Sequence, residues 1–142
     1  MNFATHQAIQ SDVAFLLAVF LRAMRVHITA ARGYWDEAKE RDQLQIPHTR
    51  IIRQEGASVG FFMAGEHGQE VELHTLCIAP EHQGHGLGTL VIQQLVDDAR
   101  SRGSGVVLQV LKVNTRAHSL YERLGFVVTG ESLPHYQLRS VA

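Results

Sequence analysis

Residues 81–89, which read EHQGHGLGT, are the most informative stretch of the chain. Gly84, Gly86 and Gly88 alternate there, between a strand-like run that Pro80 ends and a helix-like run that begins near Leu87. Glycines let the backbone turn tightly with its amides facing one way. The helix that follows adds unpaired N–H groups and the positive end of its dipole. These features together predict a binding site for a phosphate or pyrophosphate group.

Two other kinds of glycine-rich phosphate loop fit this segment less well. A dinucleotide site requires the spacing GxGxxG and an acidic residue after the next strand, whereas this loop reads GxGxG and no such acid follows it. A Walker A loop requires Gly-Lys-Ser/Thr, which is absent from the segment. A tight structural turn without any ligand is the remaining alternative.

Secondary-structure patterns on both sides of the loop predict the fold class. Short apolar runs with glycine-containing breaks predict an antiparallel meander before the loop, at residues 50–55, 59–64 and 71–79. Upstream we expect a strand at 2–8, a helix at 12–26 capped by Ser11, and a second helix at 34–44. Downstream we expect helices at 87–102 and 115–124, and strands at 106–110, 126–129 and 133–138. This order predicts a single α/β domain over residues 1–142, with a mixed, twisted, mostly antiparallel sheet flanked by helices.

Composition excludes several classes of function. The chain has 142 residues, a formal net charge of -1 and no run of five like charges, so we expect no nucleic-acid partner. Cys77 is the only cysteine, which excludes an intrachain disulfide and suits the cytoplasm. The apolar run at 13–21 is too short to cross a bilayer, so we expect no membrane partner. The nine histidines form no HExxH motif, so we expect no metal site.

The run from Gln83 to Gly88 resembles the pyrophosphate loop of the GNAT superfamily of N-acetyltransferases, and residues 114–126, NTRAHSLYERLGF, resemble a second signature of that family. One departure is His85, where the family often carries Arg or Lys. The resemblance implies a GNAT-like fold, acetyl-CoA as co-substrate, and acetyl transfer to a primary amine of a small molecule or protein by direct attack in a ternary complex. A catalytically silent acyl-CoA-binding sensor or subunit is the alternative.

The resemblance also implies roles for individual residues. Strand residues would pair with the pantetheine arm, with the Ile78 N–H facing the thioester carbonyl. Tyr121 would protonate the leaving thiolate, unless it is a core side chain packed under Phe126. Asn114 would hydrogen-bond the pantetheine arm, act as a plain helix N-cap, or do both. The full set of expected acetyl-CoA-binding residues is Leu76, Cys77, Ile78, Gln83, Gly84, His85, Gly86, Leu87, Gly88, Thr89, Asn114 and Tyr121.

Glu72 is the first candidate for the base that deprotonates the amine, because it lies eleven residues before Gln83, as the catalytic glutamate does in histone-type members of the family. On an unbroken strand Glu72, His74, Leu76 and Ile78 share one face, and a bulge would shift that parity. His74 is a second candidate, since an imidazole suits a base at neutral pH, and a chain of waters is a third. A covalent route through Cys77 is disfavoured, because a lone strand cysteine is usually a small buried hydrophobe.

The amine acceptor is unidentified at this stage. In the family it binds between the first two helices and the last hairpin. The aromatic and acidic side chains expected there are Tyr34, Trp35, Asp36 and Glu37 on one side, and His135 and Tyr136 on the other. Dimers are frequent in the family, so the resemblance is compatible with a homodimer.

Overall fold

The structure is a computed structural model and describes residues 2–141. Seven strands form one sheet: β1 Ala4–Gln7, β2 Thr49–Gln54, β3 Ala57–His67, β4 Glu70–Ile78, β5 Val106–Leu111, β6 Phe126–Ser132 and β7 His135–Ser140. Their order in the sheet is β1-β2-β3-β4-β5-β7-β6. All neighbouring strands are antiparallel except β4 and β5, which are parallel. The predicted meander and the mixed, mostly antiparallel sheet are therefore confirmed.

Four α-helices flank this sheet: α1 Val13–Arg32, α2 Glu37–Asp42, α3 Leu87–Ser101 and α4 Thr115–Arg123. The helix α1 packs on one face, where Leu16 and Val19 join Phe61, Met63 and Cys77 in a buried cluster. The helix α3 packs on the other face in the larger cluster, which includes Leu73, Ile78, Leu87, Val91, Ile92, Ala99, Leu108 and Phe126. The two faces of β4 therefore contact different helices.

The first helix differs from its prediction at both ends. Ser11 does not cap it, because residues Gln10–Asp12 form a 3₁₀ turn in which the Asp12 carboxylate accepts a hydrogen bond from the Ile9 N–H at 2.8 Å. The helix continues six residues past the predicted end at residue 26 and stops at Gly33, whose φ of 85° lies in the left-handed region. The second helix is shorter than predicted and is capped by Asp36, which accepts from the Lys39 N–H at 3.2 Å.

The longer α1 also changes the assessment of its hydrophobicity. Within Gln10–Arg32 an 18-residue window has a mean hydropathy of 1.7, so this segment is long and apolar enough to cross a membrane, by length and composition only. The core helix of a soluble protein passes the same test. Here α1 packs on the sheet through Leu16, Val19 and Ile28, each of which is at most 5% exposed.

The strands β3 and β4 approach each other unusually closely at Gly60. A Cβ atom at this position would lie 2.3 Å from the Cys77 carbonyl oxygen and 3.1 Å from the Ile78 Cα atom. Gly60 is paired with Ile78 in the register, and antiparallel residues that share no hydrogen bonds have their Cα atoms closest together. Glycine at position 60 therefore lets β3 support the carboxyl end of β4.

Candidate functional site

The site begins where β4 and β5 separate. The two strands pair only from Val71 to Leu73 on β4 and from Val106 to Leu108 on β5. Beyond Leu73 the edge of β4 that faces β5 has no partner strand, and the gap between them opens toward the glycine loop. The strands β4 and β5 are therefore splayed apart at residues 76–78, where the family resemblance places the pantetheine arm.

The backbone N–H groups of Leu76 and Ile78 point into this gap. The Ala79 N–H donates to the Val59 carbonyl at 2.8 Å, on the β3 side of the strand. Successive residues of a strand direct their N–H and C=O groups to alternate sides, so Leu76 and Ile78 face away from β3. The Ile78 carbonyl also points away from β3, because it accepts a hydrogen bond from the Gln83 side chain at 2.8 Å. Within residues 2–141 these two N–H groups have no strand partner, and they line the open edge.

The glycine loop turns directly after this edge. Gly84 and Gly86 have φ values of 81° and 83°, a conformation that L side chains rarely adopt. Gly86 is the N-cap of α3, and no side chain caps the helix at this position. The first N–H groups of α3 therefore open toward the loop, together with the positive end of the helix dipole. The geometry is that of an anion site.

A groove of about 410 Å³, here called the glycine-loop groove, runs from this loop along β4 to α4. Its lining includes all of the predicted acetyl-CoA-binding residues except His85, which is exposed and lies outside it. Four basic side chains that the sequence analysis did not identify also line it: His27, His82, Arg116 and Arg123. Arg116 donates to the Gln83 side chain at 3.4 Å, so a permanent positive charge lies beside the loop although His85 replaces the usual Arg or Lys.

A second, smaller cavity of about 200 Å³, here called the α1–β7 cleft, adjoins the groove on the α1 face. The residues common to both linings are Met24, Leu76, Asn114, Ala117 and Tyr121. These residues mark the junction where a molecule in the groove would meet a molecule in the cleft. Three of the predicted site residues, Leu76, Asn114 and Tyr121, thus lie at one point.

Tyr121 is half-buried at this junction. Its ring packs against Phe126 with the centroids 5.5 Å apart, so the expected core contact is present, while the residue lines both cavities. Burial raises the pKa of the Tyr121 hydroxyl to about 12, with a smaller contribution from Cys77. The hydroxyl therefore stays protonated at neutral pH and can donate a hydrogen bond into the junction.

Asn114 caps α4 through its side chain. Its Oδ1 atom accepts from the Ala117 N–H at 3.2 Å, which is the N-cap alternative considered above. Because the cap uses only the oxygen, the side-chain NH₂ group can still donate to a molecule at the junction.

Cys77 lies on the opposite face of β4 in the α1 cluster. It is 2% exposed, and burial raises the pKa of its thiol to about 12. A thiol held in its neutral form is a poor nucleophile. The geometry argues against a covalent route through this residue.

The strand β4 carries a bulge at the candidate bases. Met63 pairs with Thr75 and Ala64 with Leu73, so His74 is the extra residue. The side chains of Leu73 and Leu76 both pack in the α3 cluster, which shows that the parity of the strand shifts between them. Glu72 therefore faces away from Leu76 and Ile78. The unbroken strand face considered in the sequence analysis does not exist.

Glu72 and His74 nevertheless form one cluster. The Nδ1 atom of His74 lies 3.4 Å from Glu72 Oε1, and the Nδ1 atom of His67 lies 3.2 Å from Glu72 Oε2. His74 lines the α1–β7 cleft, whereas Glu72 lines neither cavity. Of the two candidate bases, His74 is the one that reaches the cleft, and Glu72 lies behind it.

The far wall of the cleft is built from the ends of α1 and α2 and from β7. Arg32, the last residue of α1, donates from Nη1 to Glu40 Oε1 at 3.0 Å. The Glu40 side chain is 3% exposed and that of Arg32 is 29% exposed. Across the cleft, burial and then the charge of Arg32 lower the pKa of His135.

The predicted acceptor residues are only partly brought together. His135 lines the cleft, but Tyr34, Trp35, Asp36 and Glu37 do not. Trp35 packs on Phe20, and Tyr136 lies under Lys112. The side chains that take their place, and that the sequence analysis missed, are Arg32, Glu40, Gln43 and Gln109. Among residues 2–141 no group of three His, Cys, Asp or Glu side chains is placed to hold a metal ion.

Comparison with known proteins identifies the family. Residues 20–126 match the acetyltransferase (GNAT) family. The chain is 32% identical over 110 residues to N-alpha-acetyltransferase RimI of Mycobacterium tuberculosis, covering 73% of this chain and 68% of that protein. It is 29% identical over 122 residues to the peptidyl-lysine N-acetyltransferase YjaB of Salmonella typhimurium, covering 82% of this chain and 78% of that protein.

Solved structures show the same fold. The PaiA N-acetyltransferase of Thermoplasma acidophilum, in complex with coenzyme A, superposes over the full length of both chains with a TM-score of 0.79 at 16% identity. The expected GNAT-like fold is thereby confirmed. N-acetyltransferase activity with acetyl-CoA as the donor is supported at the level of the family by the family match and the curated relatives. The family match agrees with the glycine loop and the splayed strand, and the chain therefore belongs to the GNAT family of acetyltransferases.

Proposed function

We propose that the glycine-loop groove binds acetyl-CoA and that a primary amine in the α1–β7 cleft attacks the thioester directly. The observation that carries this proposal is the junction at Leu76, Asn114 and Tyr121, where the two cavities meet. A donor in one cavity and an acceptor in the other would need only correct positioning to react, and positioning alone can supply a large part of a rate enhancement.

The donor would be held mainly by the backbone. The loop amides and the N-terminus of α3 would bind the pyrophosphate, with the charge of Arg116 nearby. The N–H groups of Leu76 and Ile78 would pair with the pantetheine arm and, at its end, donate to the thioester oxygen. A backbone donor aimed at a developing oxyanion contributes on the order of 3 kcal/mol.

His74 would take the proton from the attacking amine, because free amines have a pKa near ~10.4 and are mostly protonated at neutral pH. Its Nδ1 atom faces the Glu72 carboxylate, so the Nε2 atom is left for the acceptor or an intervening water. Glu72 would act as a positioning residue that orients the imidazole.

Tyr121 would stabilise the departing thiolate. As the amine nitrogen bonds to the carbonyl carbon and the C–S bond breaks, the sulfur gains the electron pair. Complete proton transfer from Tyr121 is unfavourable, because its pKa is raised to about 12 while thiols have a pKa of about 8.5. The hydroxyl would therefore donate a hydrogen bond, and the thiolate would collect its proton from solvent or His74.

Three broader properties belong to the same proposal. We infer that residues 1–142 form one catalytic domain, since one sheet carries both cavities. We infer a cytoplasmic enzyme, with α1 as a packed helix and no partner among membranes or nucleic acids. A homodimer is compatible with the edge strand β6, on which Val127 and Val128 are about half exposed.

Acetyl-CoA-dependent release of free thiol, measured against a panel of amines, tests the function. We expect release with at least one class of amine and a single acetylated product by mass spectrometry. Tight acetyl-CoA binding without transfer to any amine would contradict the enzyme and favour the acyl-CoA sensor instead.

A further inference from the structure

The α1–β7 cleft is small and electrically balanced. Its volume of about 200 Å³ lies below the ~300 Å³ at which pockets for drug-sized ligands begin. The charged side chains that line it are Arg32 and Glu40, and the other polar ones are Gln43, His74, Thr75, Gln109, Asn114, Tyr121 and His135. A compact acceptor would match this volume.

The accessible charge in the cleft is positive. Glu40 is almost fully buried and its Oε1 atom is occupied by the guanidinium, whereas the Arg32 side chain is 29% exposed. The hydrogen bond to Glu40 uses Nη1, and it is the one hydrogen bond found for this side chain within residues 2–141. The other N–H donors of the guanidinium are therefore available to a molecule in the cleft.

Glu40 fixes where that positive charge lies. Arg32 is the last residue of α1 and would otherwise have a long, mobile side chain at a helix end. The ion pair with a carboxylate that α2 holds in the protein interior orients the planar guanidinium. Arg32 and His135 on β7 line the same cleft, and the charge of Arg32 adds to burial in lowering the pKa of His135.

We propose that the acceptor is a small amino-carboxylic acid whose carboxylate is bound by Arg32, with Glu40 as the positioning residue. The guanidinium fork matches a carboxylate in geometry as well as in charge. The amine of such an acceptor would lie toward His74 and the junction at Tyr121, on the opposite side of the cleft. This inference rests on the proposed function and names its substrate class.

Matched acceptor pairs test the proposal. Thiol release is measured with free L-amino acids, with the corresponding amino-acid amides, with a dipeptide amide and with spermidine. We expect kcat/KM to be about 30-fold higher for the free acid than for its amide, the value of one charged hydrogen-bonded contact. Transfer to amides, the peptide or spermidine but not to free acids would overturn the substrate class and leave the function intact. Transfer to none of them would overturn the function itself.

Variants of the ion pair complete the test. Arg32→Gln alone leaves Glu40 buried without a partner and can fail to fold, so the double variant Arg32→Gln with Glu40→Gln is the main probe. We expect the preference for the free acid to fall close to unity in the double variant and to be reduced but still present in Glu40→Gln, where Arg32 keeps its charge and loses the carboxylate that positions it. An unchanged preference in the double variant would contradict the role of Arg32, and an unchanged preference in Glu40→Gln would contradict the positioning role of Glu40.

Discussion

The glycine-loop groove and the α1–β7 cleft are built in different ways. The groove combines backbone features within residues 76–89, namely glycine turns, the N-terminus of α3 and the open edge of β4, with side chains of α1 and α4. The cleft is formed by side chains at the ends of α1, α2, β4 and β7, which are far apart in the sequence. A backbone site can serve one common donor across a family, while a side-chain site can vary with the acceptor. Four variants, one of them with a matched control, probe these regions. Their expected effects decrease from the junction of the two regions to the cleft.

The largest effect is expected at the junction of the two regions. Tyr121→Phe should lower kcat by about 10²–10³-fold, because it removes a hydrogen bond that would be made only to the departing thiolate. Since the pKa of Tyr121 is raised to about 12, the wild-type rate should show no alkaline decline that depends on this hydroxyl below about pH 10. Steady-state kinetics across pH measure both effects.

Tyr136→Phe is the matched control for that variant. Tyr136 contacts His118 and Lys112 and lines neither the groove nor the cleft. The kcat of Tyr136→Phe should stay within about twofold of the wild-type kcat. Equal losses in the two tyrosine variants would contradict a specific role for Tyr121.

The next variant tests the strand that supports the groove rather than the surface that binds the donor. Gly60→Ala should lower the free energy of unfolding by about 3 kcal/mol, because the new Cβ atom would lie 2.3 Å from the Cys77 carbonyl oxygen. Urea unfolding measures this loss. Unfolding at the wild-type midpoint would show that β3 and β4 are not held this close.

Gly88→Ala has the opposite balance. A Cβ atom there meets only the Leu120 side chain, at 3.9 Å, so the helix α3 should gain about 0.5–1 kcal/mol of stability. The new methyl group lies at ordinary contact distance from Leu120, so we expect the Kd for acetyl-CoA to stay within about threefold of the wild type. Thermal melting and titration calorimetry measure the two changes. A less stable protein with a much higher Kd would show that the loop has no room for a methyl group at position 88.

The smallest effect concerns the cleft. Burial and the charge of Arg32 lower the pKa of His135, so the folded chain resists a proton that the unfolded chain accepts near pH ~6.5. Stability contributed through His135 is therefore present above this pH and is lost as the pH falls through it. His135→Gln should reduce the difference in unfolding free energy between about pH 7.5 and 5.5. If the wild type and His135→Gln lose the same unfolding free energy between these two pH values, the pKa of His135 is not lowered in the folded protein.

The sequence predicts the two regions unequally. The glycines at 84, 86 and 88 and the segment from Asn114 to Tyr121 form local motifs, so nearly all of the groove is readable from them. The residues of the cleft come together through the length of α1 and the pairing of β5 with β7, which no local pattern contains. The end of α1 at Gly33 was readable as a left-handed glycine stop, but the apolar spacing weakens after residue 26.

The bulge at His74 distinguishes the two candidate bases, which the sequence analysis left open. No glycine or proline marks it, since Leu73 and Thr75 on either side are ordinary strand residues. The bulge depends on how β4 pairs with β3, which is a long-range property. It moves Glu72 out of the cleft and leaves His74 at its wall.

The proposed arrangement has the donor in the groove and the acceptor in the cleft. Titration calorimetry of acetyl-CoA with the wild type, Gly86→Ala, and the double variant Arg32→Gln with Glu40→Gln tests this arrangement. A side chain at position 86 is strained by the φ of 83°, so we expect a Kd about tenfold higher for Gly86→Ala and a Kd within about twofold of the wild type for the double variant. A double variant that binds acetyl-CoA as weakly as Gly86→Ala does would contradict the separation of the two sites.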